Sequence, residues 1–313
     1  MSWSRVQPAT YHRLTLAALV MTATIIVTGA AVRLTGSGLG CSDWPKCEKD
    51  RLVAPAHFHA LVEFVNRAFT GVMGVALIVA VLASVARQPR RRDLTWLSVA
   101  LALGVVGQAL VGALVVKTNL NPSAVILHFL LSMMMVAAGM VLHHRAGEDD
   151  GPCRATVASP LRLHAHVIVA LAAVTITAGT VVTGTGPHGG DERARRFALE
   201  ITQVARVHSA AMWLTLLAVL WLVARARTSD AWAVVGRPLD MVLVVVVAQG
   251  AVGYVQYALD VPPALVAVHV AGSVALWVAG WRVLLATRSP SAVLDRHVLG
   301  HEGVDGHEGV DDR

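Results

Sequence analysis

The stretch GQALVGALVVKTNLNPSAVILH (107–128) has a counterpart later in the chain, AQGAVGYVQYALDVPPALVAVH (248–269). Gln108 matches Gln249, Gly112 matches Gly253, Pro122 matches Pro263 and His128 matches His269, every pair 141 residues apart, with no gap. A second likeness, TGAAVRLTGSG (28–38) with AGTVVTGTGPHG (178–189), runs at a separation of 150. The change of separation fits a longer first loop in the N-terminal half. The chain therefore reads as a tandem repeat, and the composition tells what is repeated.

Of 313 residues, 55% are hydrophobic and 15% charged, and the mean hydropathy is +0.61. A water-soluble protein of this length needs a more polar surface. Eight apolar runs, at 14–34, 60–86, 94–116, 122–144, 163–184, 203–225, 238–258 and 264–286, are each long enough to cross about 30 Å of hydrocarbon. The first is longer than the apolar core of a cleaved signal peptide and reads as a retained anchor. Four spans per half is an even number, so both halves enter the bilayer in the same direction. The expected fold is an all-α integral membrane protein with eight transmembrane helices. They would form two tandem four-helix bundles related by a pseudo-twofold axis along the membrane normal. The division is 1–145 for the first half, 146–162 for a cytoplasmic linker, 163–288 for the second half and 289–313 for a disordered tail. That tail carries HEGVDGHEGVD (301–311), with metal capture by His301 and His307 as the alternative.

The net charge of +6 does not point to nucleic acid, because of where the charge lies. Arg5, Arg13, the run RQPRRRD (87–93), Arg145, Arg154, Arg162, Arg225, Arg227, Arg237, Arg288 and Arg296 flank or join spans on one side. The positive-inside rule makes that side cytoplasmic and places both termini there, in a multi-pass protein of the cell membrane. Lys46, Lys49, Arg51, Arg193, Arg195 and Arg196 on the other side weaken the bias without reversing it. Cys41 and Cys47 fall in the first outer loop. Their spacing leaves open a structural disulfide, a redox-active pair, free thiols or a metal site.

Three histidines carry the chemistry. His128 and His269 each lie six residues past a proline, roughly 9 Å inside the outer end of a helix. His208 enters from the same side at a similar depth. Histidine inside a span faces a bundle interior or cavity. Two imidazoles at matched depth can ligate a haem iron from both faces. Superposing the halves puts Asn66 opposite His208, so only the C-terminal half has a full pair. An amide is a poor iron ligand, so the first half should hold its contents loosely or keep an open coordination position. Glu63 lies one turn from Asn66 and four residues before Arg67. The two read either as an intrahelical ion pair or as a carboxylate beside a substrate with Arg67 on a haem propionate. Arg33 and Lys117 sit at outer helix ends, where they meet propionates or simply snorkel.

With these residues assembled, the chain resembles the haem A synthase family of cytochrome oxidase assembly. VTGAAVRLTGSGLGCSDWPKC (27–47) is similar to the family's first-loop signature, and EFVNRAFTG (63–71) resembles its Glu-x-x-His-Arg motif. The resemblance implies haem B as cofactor in the C-terminal half, with His208 and His269 as axial ligands. It implies a haem O substrate site in the N-terminal half with His128 as ligand, lined by Asn66, Arg67 and Arg33. It makes Glu63 the essential carboxylate and Cys41 and Cys47 the loop pair. The implied reaction oxidises the C8 methyl of haem O through a hydroxymethyl stage to a formyl group. Partners would be a haem O synthase, an electron-transfer partner and the lipid bilayer, and a homo-oligomer is compatible with the reading. Asn66 departs from the family's histidine, so a single axial ligand is expected on the substrate. The competing readings are a non-catalytic membrane b-type cytochrome, which wants two equivalent histidine pairs, and a haem transfer protein, which leaves Glu63 and the cysteine loop unexplained. A solute transporter of parallel repeats is the remaining one.

Overall fold

The computed structural model describes residues 5–48, 51–148 and 153–290. Residues 149–152 of the expected linker and the tandem HEGVDG tail lie outside the described residues. Eight long helices run through the described chain: α1 (Pro8–Leu34), α2 (Phe58–Ala86), α3 (Arg92–Lys117), α4 (Pro122–Ala146), α5 (Ser159–Thr185), α6 (Ile201–Arg227), α7 (Trp232–Ala258) and α8 (Pro263–Ala286). All eight are long and apolar enough to cross a membrane. They coincide with the eight apolar runs but extend past them, most at α1 and α7. Hydropathy stops at the first charged residues, whereas backbone hydrogen bonding continues until a cap or proline ends it.

The starts follow from local chemistry. Proline occupies the first turn of α1, α4, α5 and α8, where its missing N–H has no helical partner to lose. Asn121 caps α4 by accepting from the Ser123 N–H at 3.0 Å. Two short strands, β1 (Cys153–Ala155) and β2 (Arg288–Pro290), pair antiparallel. The eight helices make the fold all-α as expected; this short backbone pairing between the fourth loop and the end of α8 joins residues that carry no hydrophobic alternation. The strands also take residues from both the expected linker and the expected tail. Ala146 and residues 159–162 of that linker belong to α4 and α5.

Contacts sort the loops onto two sides. On one, Val6 donates to Ala86 O and accepts from the Gln88 N–H. Arg91 reaches Arg145 O and Glu148 O, and Thr156 bonds Ala286 O and Thr287 O. On the other, the Gly38 N–H donates to Gly190 O at 2.8 Å, and His188 Nε2 bonds Val261 O at 2.7 Å. The basic loops read as cytoplasmic therefore share a face.

In each half the helices close a ring, α1–α2–α3–α4 and α5–α6–α7–α8, and α8 packs on α1 and α4 across the seam. Three apolar cores correspond: one around Leu77, Leu94 and Leu142, one around Ile168, Leu222 and Leu239, and a seam core of Ile26, Val136, Ile176 and Trp277. The Trp277 indole N–H crosses the seam to Met133 O at 2.8 Å. Outward faces stay apolar, as with Leu103, Val106 and Leu110 on α3 and Val244 and Val247 on α7. A continuous surface of this kind suits lipid and not water.

The turns before α4 and α8 repeat in detail. Asn119 and Leu120, and Asp260 and Val261, all hold positive φ of 51° to 58°. The Leu120 N–H reaches back to Val115 O and the Val261 N–H to Gln256 O. A left-handed non-glycine residue costs about 1–2 kcal/mol, and a β-branched one such as Val261 is rarer still. Surroundings hold both pairs: His188 bonds Val261 O, and the Leu120 side chain lies against Gly38 and Gly190. These turns fix where α4 and α8 begin, and so the depth of His128 and His269.

Candidate functional site

The C-terminal half builds its site from α5, α6, α7 and α8. The rings of His208 on α6 and His269 on α8 face each other with centroids 6.1 Å apart and planes at 81°. His208 Nδ1 lies 2.9 Å from Thr175 O. As an N–H it donates there, which leaves the Nε2 lone pair free to bind a metal. Neither ring nitrogen of His269 has a partner among the described residues, and its Nδ1 is buried. The spacing matches one metal atom between two imidazoles, given metal–nitrogen bonds of about 2 Å on each side. Glycines press against both rings. A Cβ at Gly179 would stand 3.0 Å from His208 Cε1, and one at Gly253 would stand 3.4 Å from His269 Cε1. Orphaned nitrogens, a fixed tautomer and glycine-lined rings fit a haem held from both faces.

The N-terminal half repeats part of this. His128 on α4 also lacks a ring partner among the described residues, and its Nδ1 is buried. A Cβ at Gly112 would lie 3.5 Å from its Cε1. Gln108 donates to His128 O at 3.1 Å and to Ser132 Oγ at 2.6 Å, locking α3 to α4. Gln108 Oε1 and its counterpart Gln249 Oε1 are buried without partners, so the same polar atoms are left over in both halves. Asn66 stands where superposing the halves calls for the imidazole of His208. Thr28 donates to Asn66 Oδ1 at 2.8 Å, and the Cβ position of Gly29 has nothing within 4 Å.

Glu63 is buried, although it sits in the first turns of α2. Its Oε2 accepts from the Cys41 N–H at 2.8 Å. Its Oε1 accepts from Arg67 Nε at 3.1 Å and from Arg67 Nη2. Arg67 Nη1 continues to Asp43 O at 3.0 Å and Lys46 O at 3.3 Å. Cys41 and Cys47 form a disulfide. The intrahelical ion pair is thus present, and it also ties the disulfide loop down onto α2. An unpaired carboxylate at this depth would cost a few kcal/mol; the guanidinium and the N–H offset that cost. The same bonds turn Arg67 toward the loop. Arg33 lies at the seam, where Nη2 donates to Thr183 O at 2.9 Å. Thr183 is its own counterpart in the second half. Among the described residues Arg33 has no carboxylate partner, and Lys117 ends α3.

Sequence reasoning found the histidines but missed Thr28, the Thr175 carbonyl and the glycines behind the rings. The glycines left a signal: Gly112 with Gly253, and Gly29 with Gly179, recur in both quoted repeats. A backbone carbonyl leaves none.

A family model described as cytochrome oxidase assembly protein matches residues 12–60 and 53–188, more than half of the chain. The heme A synthase of Lysinibacillus sphaericus (strain C3-41) is 28% identical over 174 residues, covering 54% of this chain and 57% of that protein. The heme A synthase of Geobacillus kaustophilus (strain HTA426) is 38% identical over 98 residues, 31% of this chain and 30% of that protein. That of Bacillus pumilus (strain SAFR-032) is 33% identical over 120 residues, 38% and 39% respectively. The chain spans from about a third to a little over half the length of these curated relatives. The family match ends before α6, so His208 and His269 lie beyond it. The chain belongs to the cytochrome oxidase assembly protein family.

Proposed function

We propose that this member of the cytochrome oxidase assembly protein family is a haem A synthase, oxidising the C8 methyl of haem O to a formyl group by way of a hydroxymethyl stage. The observation that carries the reading is the pair His208 and His269, facing at 6.1 Å, with His208 held through Nδ1 by Thr175 O and the ring of His269 without a partner among the described residues. A lone buried histidine is usually a satisfied core residue; two facing rings with a nitrogen left over on each are not.

In this reading the C-terminal half, 163–288, holds haem B between His208 and His269, and the N-terminal half, 1–145, takes haem O against His128. The two are related by an axis along the membrane normal, as the recurring turns at Asn119–Leu120 and Asp260–Val261 support. Haem B, when bound, supplies one-electron transfer. Thr175 orients His208 and keeps its proton on Nδ1. Glu63 has two tasks. Through Cys41 it seats the disulfide loop over the outer end of the first half. Its carboxylate also stands one turn from Asn66, where negative charge stabilises cationic character developing at the substrate methyl and takes up the proton released. Arg33, with free guanidinium donors at the seam, pairs with a propionate. The termini and basic loops are cytoplasmic in the cell membrane. A haem O synthase and an electron-transfer partner complete the assignment.

The test is extraction and identification of the haems from purified protein expressed with a source of haem O. Haem B together with haem A or hydroxylated haem O is the expected result. Haem B alone, near two per chain, would instead make the protein a membrane b-type cytochrome. No haem at all would remove the histidine argument.

A further inference from the structure

We infer that Ser209 and Trp213 on α6 and Tyr254 on α7 bind the head group of a lipid-soluble quinone, which exchanges electrons with the haem of the second half. The inference rests on the haem reading above and names the chemical class of its electron-transfer partner.

Three side chains make a hydrogen-bonded cluster on the outside of the helix ring. The Trp213 indole N–H donates to the Tyr254 hydroxyl oxygen at 3.0 Å, and Ser209 Oγ lies 2.7 Å from the same oxygen. Trp213 and Tyr254 are half exposed, 49% and 51%, on the outward faces that also carry Val207, Leu214, Val247 and Val255. Ser209 is eight residues into α6, roughly 12 Å from its outer end. Tyrosines and tryptophans of an interfacial belt turn their polar tips to water; here the polar tips turn to each other. The two hydroxyls own two protons and share one bond. Whichever of them donates, the other O–H has no partner among the described residues. The indole does not take it, being a donor only, and lipid tails offer no acceptor. The cluster thus presents one spare donor between two aromatic rings, in a layer without water.

Its position gives the ligand. Ser209 follows His208 in sequence, and Tyr254 follows Gly253, whose Cβ would stand 3.4 Å from the His269 ring. The cluster therefore adjoins residues of the proposed haem pocket on two helices. The first half lacks it: Arg67, Gly71 and Ala113 stand at the corresponding positions. Only the half with the histidine pair carries it. A molecule that lives in lipid, accepts a hydrogen bond through a carbonyl oxygen, lays a flat ring against aromatic side chains and takes up electrons is a quinone with an apolar tail. A lipid ester offers the carbonyl, but no ring and no cause to sit beside one half alone. The electrons balance. In the proposed reaction, methyl and water give hydroxymethyl with two electrons and two protons, and hydroxymethyl gives formyl with two more of each. One quinone takes two electrons, passed singly through the haem, and two protons to become a hydroquinone, so two quinones are reduced per formyl group formed.

The probe is a benzoquinone with a decyl tail. Purified full-length protein with its haem reduced is mixed with it in the absence of oxygen, and oxidation of the haem is followed by absorbance. The expected rate saturates with quinone. The double variant Ser209→Ala with Tyr254→Phe should raise the half-saturating concentration about tenfold, the worth of one hydrogen bond, with haem content and reduced spectrum unchanged. Trp213→Leu, which removes a ring, should raise it as well. A rate that rises without saturating, or one half-saturating concentration shared by all three proteins, would overturn the inference. An azide-bearing form of the same quinone gives a readout that needs no electron transfer: on illumination it should attach to peptides of α6 and α7, and the plain quinone should compete with it. Attachment elsewhere, or displacement by phospholipid alone, would overturn the quinone site. Protein that holds no haem yet is labelled on α6 and α7 would instead defeat the functional reading beneath the inference, so the two failures are distinguishable.

Discussion

Gly179 is pressed against an imidazole, and Gly29, at the equivalent point of the first half, faces open space. Around that contrast the halves differ consistently. The C-terminal site has two opposed rings, one of them fixed by a backbone carbonyl. The N-terminal site has one ring, an amide held by a threonine, and a buried carboxylate that clamps a disulfide loop. On the proposed function, a cofactor that stays and a substrate that leaves need different grips: two ligands suit the first, and one ligand under a tethered loop suits the second. The sequence likeness and the matching turns before α4 and α8 run through both halves, and a few side chains make the difference.

Four experiments break or sharpen this contrast. The largest effect is expected from His208→Ala or His269→Ala, each of which should strip the tightly bound haem from the second half. Full retention, measured as haem per chain after purification, would end the ligand assignment. Next, Glu63→Gln should lower formyl production by about a hundredfold or more while leaving the haem of the second half in place. Haem extracts compared by chromatography would show it, and normal haem A output would leave Glu63 with its structural task only. Third, Cys41→Ser opens a short loop and should cost about 2 kcal/mol of stability, seen as a fall of a few degrees in thermal unfolding. The C-terminal haem spectrum should not change, because the loop packs on Ala60 and Phe64 of the other half. The smallest effect separates the glycines. Gly179→Ala forces His208 to shift and should cost about 1 kcal/mol, reducing haem retention several-fold. Gly29→Ala meets nothing and should leave haem binding intact. Equal effects from the two alanines would mean that the halves are more alike than their side chains indicate.

Much of this architecture was legible in the residues. Each span is an unbroken apolar run near the length of the bilayer core, and the repeat of Gln, Gly, Pro and His along 107–128 and 248–269 marked the pairing of halves. The interior faces were harder to read. A helix that is apolar all round gives no stripe to say which side turns inward, so the facing of His208 and His269 had to come from depth alone. Partners on the backbone were invisible for a different reason. The Cys41 N–H that holds Glu63, and the Thr175 carbonyl that orients His208, exist in every residue and have no letter of their own. Arg67 shows the cost of reading pairs without loops. Its spacing from Glu63 announced the ion pair, but its reach to Asp43 O and Lys46 O depends on where a loop far from it in sequence folds back. The pairing of β1 with β2 was hidden likewise, being made of three residues on either side with no alternation to follow.

The Trp277 indole that reaches Met133 O bears on how the protein is made. During synthesis the first four helices enter the bilayer before the last four, and their seam face waits among lipid chains. No water is there to compete for the Met133 carbonyl, so the arriving indole supplies a directional bond where apolar packing alone would let α8 slide or rotate. A bond of this kind inside a bilayer is worth about 0.6–2 kcal/mol, little against the whole but enough to select one register. Trp277 therefore acts as an alignment pin between the two halves, setting the height of α8 against α4.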